Sequence, residues 1–493
     1  MSRESEAMAR PPASSDRVSS DGFLRHAGRS LLLTIYTALR SLKLYPLENA
    51  TAQKALDDLQ AASGTLLKGD QEIEIRMAGE FIFVNGTRLR LELDNYASFS
   101  HILAVFRSTD IGVLRVRSGA ERREWQVLLS VLLSLSAKEG DADKLVDLRE
   151  KLALADVSHI QAEPPVETEE LLAEAERAKE AAKRTYSHGV AVTKEVINSV
   201  RMGRTTSVAK VKRAVQSIVD QVLNNETSLM GLTAIRDYDE YTFTHSVNVC
   251  ILSVAVGKKL GLSRMQLYDL GLAGLLHDVG KARIPVDVLN KTGGLDEEEW
   301  RVMQSHPWLG VLTLFAMRGY GEVPYRSLVV AHEHHMKVDL SGYPRCVRPR
   351  TMGIYSRIVA VADGYDAATT RRSYQTVPIQ PDQVLKEMWE NPRRGCDPVL
   401  VKALINLIGV YPVGTCVILD TLEVAVVAAA NPDQNCLNRP IVRIAIDTNG
   451  AMLPRPGREE NLGARDASGA FVRSIVKVTN PDRYGIVVGD YFV

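Results

Sequence analysis

The sequence has few cysteines, and none of them form a CxxC pair. The five cysteines are odd in number and scattered along 493 residues. A disulfide framework needs paired cysteines and a thiolate zinc site needs clustered ones, so the sequence argues against both. This usage is typical of a reducing cytosol, and we expect a cytoplasmic protein.

Long apolar runs and an excess of one charge are also missing. The longest apolar run near the start, residues 31–39, is too short to span a bilayer, and the first twenty residues lack the hydrophobic segment of a secretory signal. Sixty basic residues balance sixty acidic ones. No global field favours nucleic acid or an anionic membrane, so we expect no DNA partner and no membrane span.

The chain is long enough for two to four domains. Residues 1–22 are polar and predict a disordered tail. Residues 23–155 mix helical and alternating patterns, with an Asn85-Gly86 hairpin signal, and predict an α+β domain for regulation or protein contact. Residues 231–409 are almost entirely helical in pattern. Residues 410–493 carry short Val- and Ile-rich runs between turns and predict a small β domain, in which residues 486–488 form the last strand. The fold class is therefore mainly α.

Residues 156–230 predict a helical linker, in which residues 167–184 are rich in Ala, Glu and Lys. Two interpretations stay open for this segment. It is either a solvated linker helix or a signalling and dimerising helix between the N-terminal domain and the core. The second interpretation predicts a homodimer and a regulatory protein partner that acts through the N-terminal domain.

The helical segment contains a cluster of histidines and aspartates. The apolar run 270–276 ends in His277-Asp278, which places a neutral nitrogen ligand beside an anionic oxygen that can bridge two ions. Each candidate alone is more simply a core histidine or a capping aspartate. One helical domain rarely buries so many imidazoles and carboxylates without an ion, so together they predict a metal site. The candidate ligands are His245, His277, Asp278, His306, His334, His335 and Asp363.

Seven ligands without sulfur exceed the needs of one ion that also binds water and substrate. They suit two ions that share a carboxylate, and the set fits iron, manganese, nickel, cobalt or zinc. Two ions a few ångströms apart are an arrangement for in-line attack on a phosphoester by a hydroxide. Lys281, about one turn after His277, is placed to neutralise a phosphate oxygen, although a lysine that complements a helix C-terminus explains it equally well.

Residues 241–375 resemble the HD-GYP family, the cyclic di-GMP phosphodiesterase branch of the HD metallohydrolases. The resemblance covers roughly a third of the chain. It implies an HD-type helical core that hydrolyses cyclic di-GMP to linear pGpG through a metal-bridging hydroxide, and either pGpG or GMP as the final product. The matching motifs are Tyr241-Thr242-x-x-His245-Ser246, His277-Asp278-x-Gly280-Lys281, Ile284-Pro285, His306-Pro307, His334-His335, Ser341-Gly342-Tyr343-Pro344 and Val361-Ala362-Asp363-x-x-Asp366-Ala367.

The resemblance also implies a role for each matching residue. Asp278 and Lys281 would be catalytic, and Lys281, Tyr343 and Arg372 would contact the substrate. Some members hold a third metal through a glutamate where this chain has Tyr241, so two divalent ions are predicted, with iron or manganese expected. One ion would be held by His245, His277, Asp278 and Asp363, and the other by the bridging Asp278 with His306, His334 and His335.

Three positions depart from the family pattern. Met336 stands where the family has glutamate, Leu340 replaces a glycine, and Gln375 replaces a cation. Leucine disfavours a positive φ, so Leu340 predicts a reshaped loop. All seven ligands remain, which favours the phosphodiesterase. The alternatives are a catalytically weakened scaffold that binds a cyclic dinucleotide or metal, and a phosphodiesterase for another cyclic dinucleotide.

Overall fold

The structure is a computed structural model of the chain. It divides into two compact units, Met1–Leu172 and Ala173–Val493. The fold is mainly helical with two small antiparallel sheets, which confirms the predicted fold class. Among the described helices, none is long and apolar enough to cross a membrane. The described residues are 14–68, 70–78, 81–89, 96–136, 143–165, 169–204, 208–224, 226–233, 241–291, 293–317, 324–346, 348, 350–370, 379–431, 433, 436–466 and 468–491.

The first unit packs helices against a five-stranded antiparallel sheet of order β3-β2-β1-β4-β5. The predicted hairpin is confirmed, because Asn85 and Gly86 adopt the positive φ angles, 47° and 73°, that a tight two-residue turn needs. The elements are α1 (Ser14–Leu44), α2 (Ala50–Leu67), β1 (Glu72–Ala78), β2 (Phe81–Val84), β3 (Thr87–Leu89), α3 (Tyr96–Arg107), β4 (Val113–Arg117), α4 (Arg122–Ser136), α5 (Lys144–Leu154) and β5 (Ile160–Glu163).

Two features of this unit differ from the expectation. Helix α1 already begins at Ser14, inside the segment assigned to a disordered tail, because extending a helix anchored by buried Leu31 and Leu32 costs little per added residue. Residues 1–13 lie outside the described part of the chain. Strand β5 pairs with β4 from Ile160 to Glu163, so the sheet continues past the boundary expected near residue 155. Four residues with only two buried positions are too short a pattern to identify a strand.

The second unit begins with a helical core. Helix α10 shows how this core is built, since it begins with the exposed Arg264 and Met265 but buries residues 270–276 completely, as expected for a helix whose C-terminal half is surrounded by others. The helices are α6 (Glu169–Arg201), α7 (Val208–Asn224), α8 (Glu226–Leu232), α9 (Tyr241–Lys259), α10 (Arg264–Leu276), α11 (Val286–Leu289), α12 (Glu297–Met303), α13 (His306–Ala316), α14 (Tyr325–Glu333), α15 (Ile354–Thr369), α16 (Pro381–Glu390) and α17 (Pro398–Ile408), with 3₁₀ turns at Val279–Arg283 and Pro392–Arg394.

A second antiparallel sheet, of order β10-β6-β7-β8-β9, follows the helices. Its strands are β6 (Cys416–Leu419), β7 (Val424–Ala429), β8 (Ile441–Ile446), β9 (Arg458–Asn461) and β10 (Ile475–Thr479). The expected strand at residues 486–488 is wrong, because residues 486 and 487 follow a 3₁₀ turn at Pro481–Tyr484 without forming a strand and Val488 begins a second 3₁₀ turn, Val488–Tyr491. Strand β9 was not predicted, since its sequence Arg-Glu-Glu-Asn carries no apolar alternation.

Candidate metal centre

Helix ends bring the seven candidate ligands together. His245 lies near the start of α9, and His277 and Asp278 follow the last residue of α10. Helix α13 begins with His306, His334 and His335 follow the end of α14, and α15 carries Asp363. All are buried except His335, which is partly exposed. The predicted set therefore occupies one place, although the ligand role of each residue stays a prediction.

A close approach of two helices positions the His277-Asp278 pair. A β-carbon at Gly274 of α10 would lie only 3.1 Å from Cα of Cys250 in α9. Glycine at this position lets the two backbones approach, because a larger side chain would push them apart. The approach brings the end of α10 beside His245, whose ring centroid lies 5.4 Å from that of His277.

The carboxylate of Asp278 lies between two groups of histidines. Its Oδ2 is 3.4 Å from Nε2 of His277 and 3.7 Å from Nε2 of His245. Its Oδ1 is 3.3 Å from Nε2 of His306 and 3.6 Å from Nε2 of His334. Each oxygen thus faces a different set of nitrogen donors. Asp363 faces the first set, with its Oδ1 3.1 Å from Nε2 of His245.

Two polar atoms at the centre have no hydrogen-bond partner among the described residues. They are Nε2 of His277 and Oδ1 of Asp278, and both are buried. Burying an unsatisfied polar atom costs free energy that a native structure normally avoids. A divalent cation would satisfy both atoms, since an imidazole nitrogen and a carboxylate oxygen are ordinary ligands. The residues therefore fit a metal, and they form two groups that share Asp278, in each of which the possible ligand atoms lie within 4.8 Å of one another.

Backbone carbonyls orient three of the histidines. Nδ1 of His277 lies 2.7 Å from the carbonyl oxygen of Gly274, and Nδ1 of His306 lies 2.7 Å from that of Met303. Nδ1 of His334 lies 3.0 Å from the carbonyl oxygen of Ala331. A carbonyl only accepts hydrogen bonds, so Nδ1 donates and carries the proton. The lone pair is then on Nε2, which points at the centre in each ring.

A carboxylate orients the fourth histidine. Nδ1 of His245 lies 2.7 Å from Oδ2 of Asp366, three residues after Asp363 on α15. Burial lowers the pKa of His245, but Asp363 and Asp366 outweigh it and raise the pKa to about 9. Asp366 belongs to a matching motif, yet the sequence suggested no role for it. The available signal was its spacing, since residues three apart share a helix face.

The pKa values of three candidate ligands are shifted toward the protonation states that bind a cation. Burial tends to raise the pKa of Asp278, but Lys281 and His277 hold it well below its usual range. Burial lowers the pKa of His306, and burial together with His334 holds the pKa of His335 well below its usual value. Asp278 is therefore an ionised carboxylate, and His306 and His335 are held as neutral imidazoles, the protonation states that bind metal.

The predicted substrate contacts border the same centre. Nζ of Lys281 lies 2.5 Å from Oδ2 of Asp278. The ring of Tyr343 lies 4.6 Å from that of His335 and 5.9 Å from that of Trp300, which is 45% exposed. Trp300 was not predicted as a site neighbour, since nothing local in the sequence points to it. Arg372 and Gln375 lie outside the described residues.

The loop before Tyr343 keeps a glycine-like backbone despite its leucine. Leu340 has a φ of 63°, in the left-handed region that glycine adopts freely. The expectation that leucine forbids a positive φ at this position is therefore wrong, because the surrounding loop imposes it. Gly342 leaves little room nearby, since a β-carbon there would lie 2.1 Å from the carbonyl oxygen of His335.

A helical core that buries a shared aspartate among histidines defines a metal-dependent hydrolase of the HD type. A family model described as HD domain matches residues 219–400. A cyclic di-GMP phosphodiesterase of Pseudomonas aeruginosa is 31% identical over 66% of this chain and 76% of its own length. The chain belongs to the HD-GYP family of HD-domain proteins.

Two further proteins are similar over smaller parts. A 3′3′-cGAMP-specific phosphodiesterase of Vibrio cholerae is 34% identical over 35% of this chain and 36% of its own length. A solved structure of an HD-G"Y"P protein from Bdellovibrio bacteriovorus is 19% identical, with a TM-score of 0.39 over 48% of this chain and 76% of that one.

Proposed function

We propose that this protein is a metal-dependent phosphodiesterase that hydrolyses cyclic di-GMP to linear pGpG, and on to GMP. The observation that supports the proposal most is that the two carboxylate oxygens of Asp278 face separate groups of histidines. Membership of the HD-GYP family supports the substrate, because the similar Pseudomonas protein is named a cyclic di-GMP phosphodiesterase. A cytosolic location and a homodimer stay predictions from the sequence.

Two divalent ions, iron or manganese, are proposed for this centre. His245, His277, Asp278 and Asp363 would hold one ion, and Asp278 with His306, His334 and His335 would hold the other. When bound, such ions supply an activated water at neutral pH and positive charge for phosphate oxygens. The Nδ1 hydrogen bonds fix the rings before metal binds, so the site is preorganised.

The neighbouring residues would hold the dinucleotide. Lys281 is 19% exposed at its side chain and brings an ammonium group to the centre, where we propose that it binds an oxygen of the scissile phosphate. Tyr343 offers an aromatic ring beside His335, and the exposed Trp300 lies beside Tyr343; such surfaces suit stacking of guanine bases. Arg372 is proposed as a further contact from its motif alone.

Turnover of cyclic di-GMP tests the proposal. The full chain is purified without oxygen and loaded with Mn²⁺ or Fe²⁺, and pGpG and GMP are quantified by chromatography, with metal content measured on the same sample. Asp278→Asn is the control, because it keeps the shape of the side chain and removes the bridging charge. We expect two ions per chain and turnover in the wild type, and neither in the variant. A protein without bound metal would overturn the site assignment.

A scaffold is the second candidate function. Met336 is 3% exposed and places an apolar side chain where the family has a glutamate, so one carboxylate is missing near the two histidines. Two bound ions and cyclic di-GMP binding without turnover would favour this candidate. Offering 3′3′-cGAMP and other cyclic dinucleotides to the same samples tests the third candidate, a phosphodiesterase for another cyclic dinucleotide.

A further inference from the structure

A chain of hydrogen bonds runs from helix α6 to the metal centre. The hydroxyl of Tyr186 in α6 donates to Oδ1 of Asn248 at 2.9 Å. Nδ2 of Asn248 donates to Oδ1 of Asp366 at 2.9 Å. The other oxygen of Asp366 accepts from Nδ1 of His245 at 2.7 Å. The four residues come from three helices, and each amide or carboxylate oxygen in the chain receives a donor.

The hydrogen bonds converge on Asp366, which accepts from Asn248 on one side and from His245 on the other. A carboxylate only accepts, so the NH₂ group of Asn248 faces Asp366, and Tyr186 holds the amide in this orientation by donating to its carbonyl oxygen. That amide holds one oxygen of Asp366, which leaves the other for His245. Burial and the charge of Asp366 raise the pKa of Tyr186, so its hydroxyl stays protonated and donates. The arrangement keeps a proton on Nδ1 of His245, so Nε2 is the nitrogen that would bind a metal.

The rest of α6 lies against the elements that carry the ligands. A β-carbon at Gly189 would be 3.4 Å from Val247 of α9, so the two helices are in contact one turn after Tyr186. Further along, Thr193 and Val196 line a small cavity together with Leu276 and Val279, the neighbours of His277 and Asp278. Helix α6 therefore lies beside α9, which carries His245, and beside the end of α10, which leads into His277 and Asp278.

From these contacts we infer that Tyr186 is a positioning residue for the metal ligand His245 and acts through Asn248 and Asp366. The position of α6 then determines how tightly the ion held by His245 binds. The inference rests on the metal centre of the proposed function and not on its substrate. Residues that orient metal-ligating histidines typically change metal affinity by about 10- to 100-fold when lost. Because Asn248 and Asp366 lie between Tyr186 and His245 in this series of hydrogen bonds, we expect a smaller loss of metal affinity.

Titration of the apo protein with Mn²⁺ tests the inference. Free Mn²⁺ is followed by its electron paramagnetic resonance signal, and we expect two binding steps in the wild type. In Tyr186→Phe we expect the Mn²⁺ affinity of one binding step to fall by about three- to tenfold and that of the other to stay unchanged, since only the hydrogen bonds that lead to His245 are interrupted. Asn248→Ser should weaken the same step further. Thermal melting of each apo variant reports whether the fold survives.

Tyr355→Phe is the matched control. Tyr355 lies on α15 with Asp363, and its hydroxyl accepts from Arg326 at 3.2 Å, but it has no part in the chain to His245. We expect wild-type binding in this variant. Wild-type affinities in both Tyr186→Phe and Asn248→Ser, or an equal loss at both steps, would overturn the inference. Either result leaves the phosphodiesterase proposal standing, because the wild type would still bind two ions and turn over substrate.

Discussion

A β-carbon at Gly280 would lie 2.0 Å from the carbonyl oxygen of His306. The same β-carbon would be 2.4 Å from the backbone nitrogen of Gly310, so the turn after Asp278 touches the first helical turn of α13. No atom there is the end of a flexible side chain that can move aside. Glycine at position 280 is therefore what allows His306 to face Asp278.

Gly280→Ala should displace the start of α13 and with it His306. We expect loss of the ion held by His306 and a destabilisation of about 1–3 kcal/mol, the usual cost of forcing extra atoms into a packed core. Metal analysis and thermal melting measure the two effects. Gly353→Ala is the control, since a β-carbon there meets no atom within 4 Å and its φ is −61°. Wild-type metal content in Gly280→Ala would contradict the prediction.

Removing one histidine from each side of Asp278 should remove one ion at a time. His245 approaches Asp363, whereas His306 approaches Oδ1 of Asp278 and lies 3.3 Å from Nε2 of His334. We therefore expect His245→Ala and His306→Ala each to keep one ion per chain, and Asp278→Ala to keep neither. Mass-spectrometric metal analysis of proteins purified in the same way distinguishes these outcomes. Loss of both ions in His306→Ala would argue against two separable sites.

Local chemistry made much of this centre predictable from the sequence. An imidazole and a carboxylate at the end of the apolar run 270–276, taken together with five further candidate ligands, predicted a metal site, and Asp278 is the residue that the structure places between the two histidine groups. The hairpin at Asn85-Gly86 was equally predictable from the sequence, because few residue pairs adopt positive φ in succession.

Features that depend on distant contacts were not predictable. Tyr186 reaches Asn248 across 62 positions, and nothing near either residue indicates a partner. Strand β9 is polar and is recognised only by its pairing with β8. At Leu340 the side chain suggested the opposite of the observed backbone, since the loop overrides the residue's own preference.

Relieving the backbone at Leu340 should stabilise the protein slightly. A left-handed conformation costs a non-glycine residue about 1–2 kcal/mol, and glycine gives back about 0.5–1 kcal/mol through the entropy of its unfolded state. We expect Leu340→Gly to gain less than about 1 kcal/mol, and Leu340→Val, with a branched β-carbon, to lose about 1 kcal/mol or more. Urea denaturation measures both, and a valine variant as stable as the glycine variant would show that the loop carries no such strain.

A buried carboxylate should make the second sheet sensitive to acid. Glu423 is 3% exposed and accepts from Nε of Arg473 at 2.7 Å and from the hydroxyl of Thr421 at 2.6 Å. Burial tends to raise its pKa, but these bonds outweigh it and lower the pKa below the ordinary value. The folded state therefore binds this proton less readily than the unfolded state. The stabilisation is present above the ordinary pKa and is lost as the pH falls through the lowered one.

Glu423→Gln should therefore cost stability at pH 7, by about 1–3 kcal/mol for hydrogen bonds to charged groups, and progressively less as the pH falls below 4.5. Hydrogen exchange of the amides in β6, β7 and β8 reports on this sheet directly. Glu459→Gln is the control, because that carboxylate is 58% exposed and lies 3.4 Å from Arg443 on the same sheet. Its effect should stay below about 1 kcal/mol at every pH. An ionised glutamate loses its advantage over glutamine only when it is protonated. If the stability of Glu423→Gln differed from that of the wild type by the same amount at pH 7 and in acid, the charge of Glu423 would contribute nothing to stability.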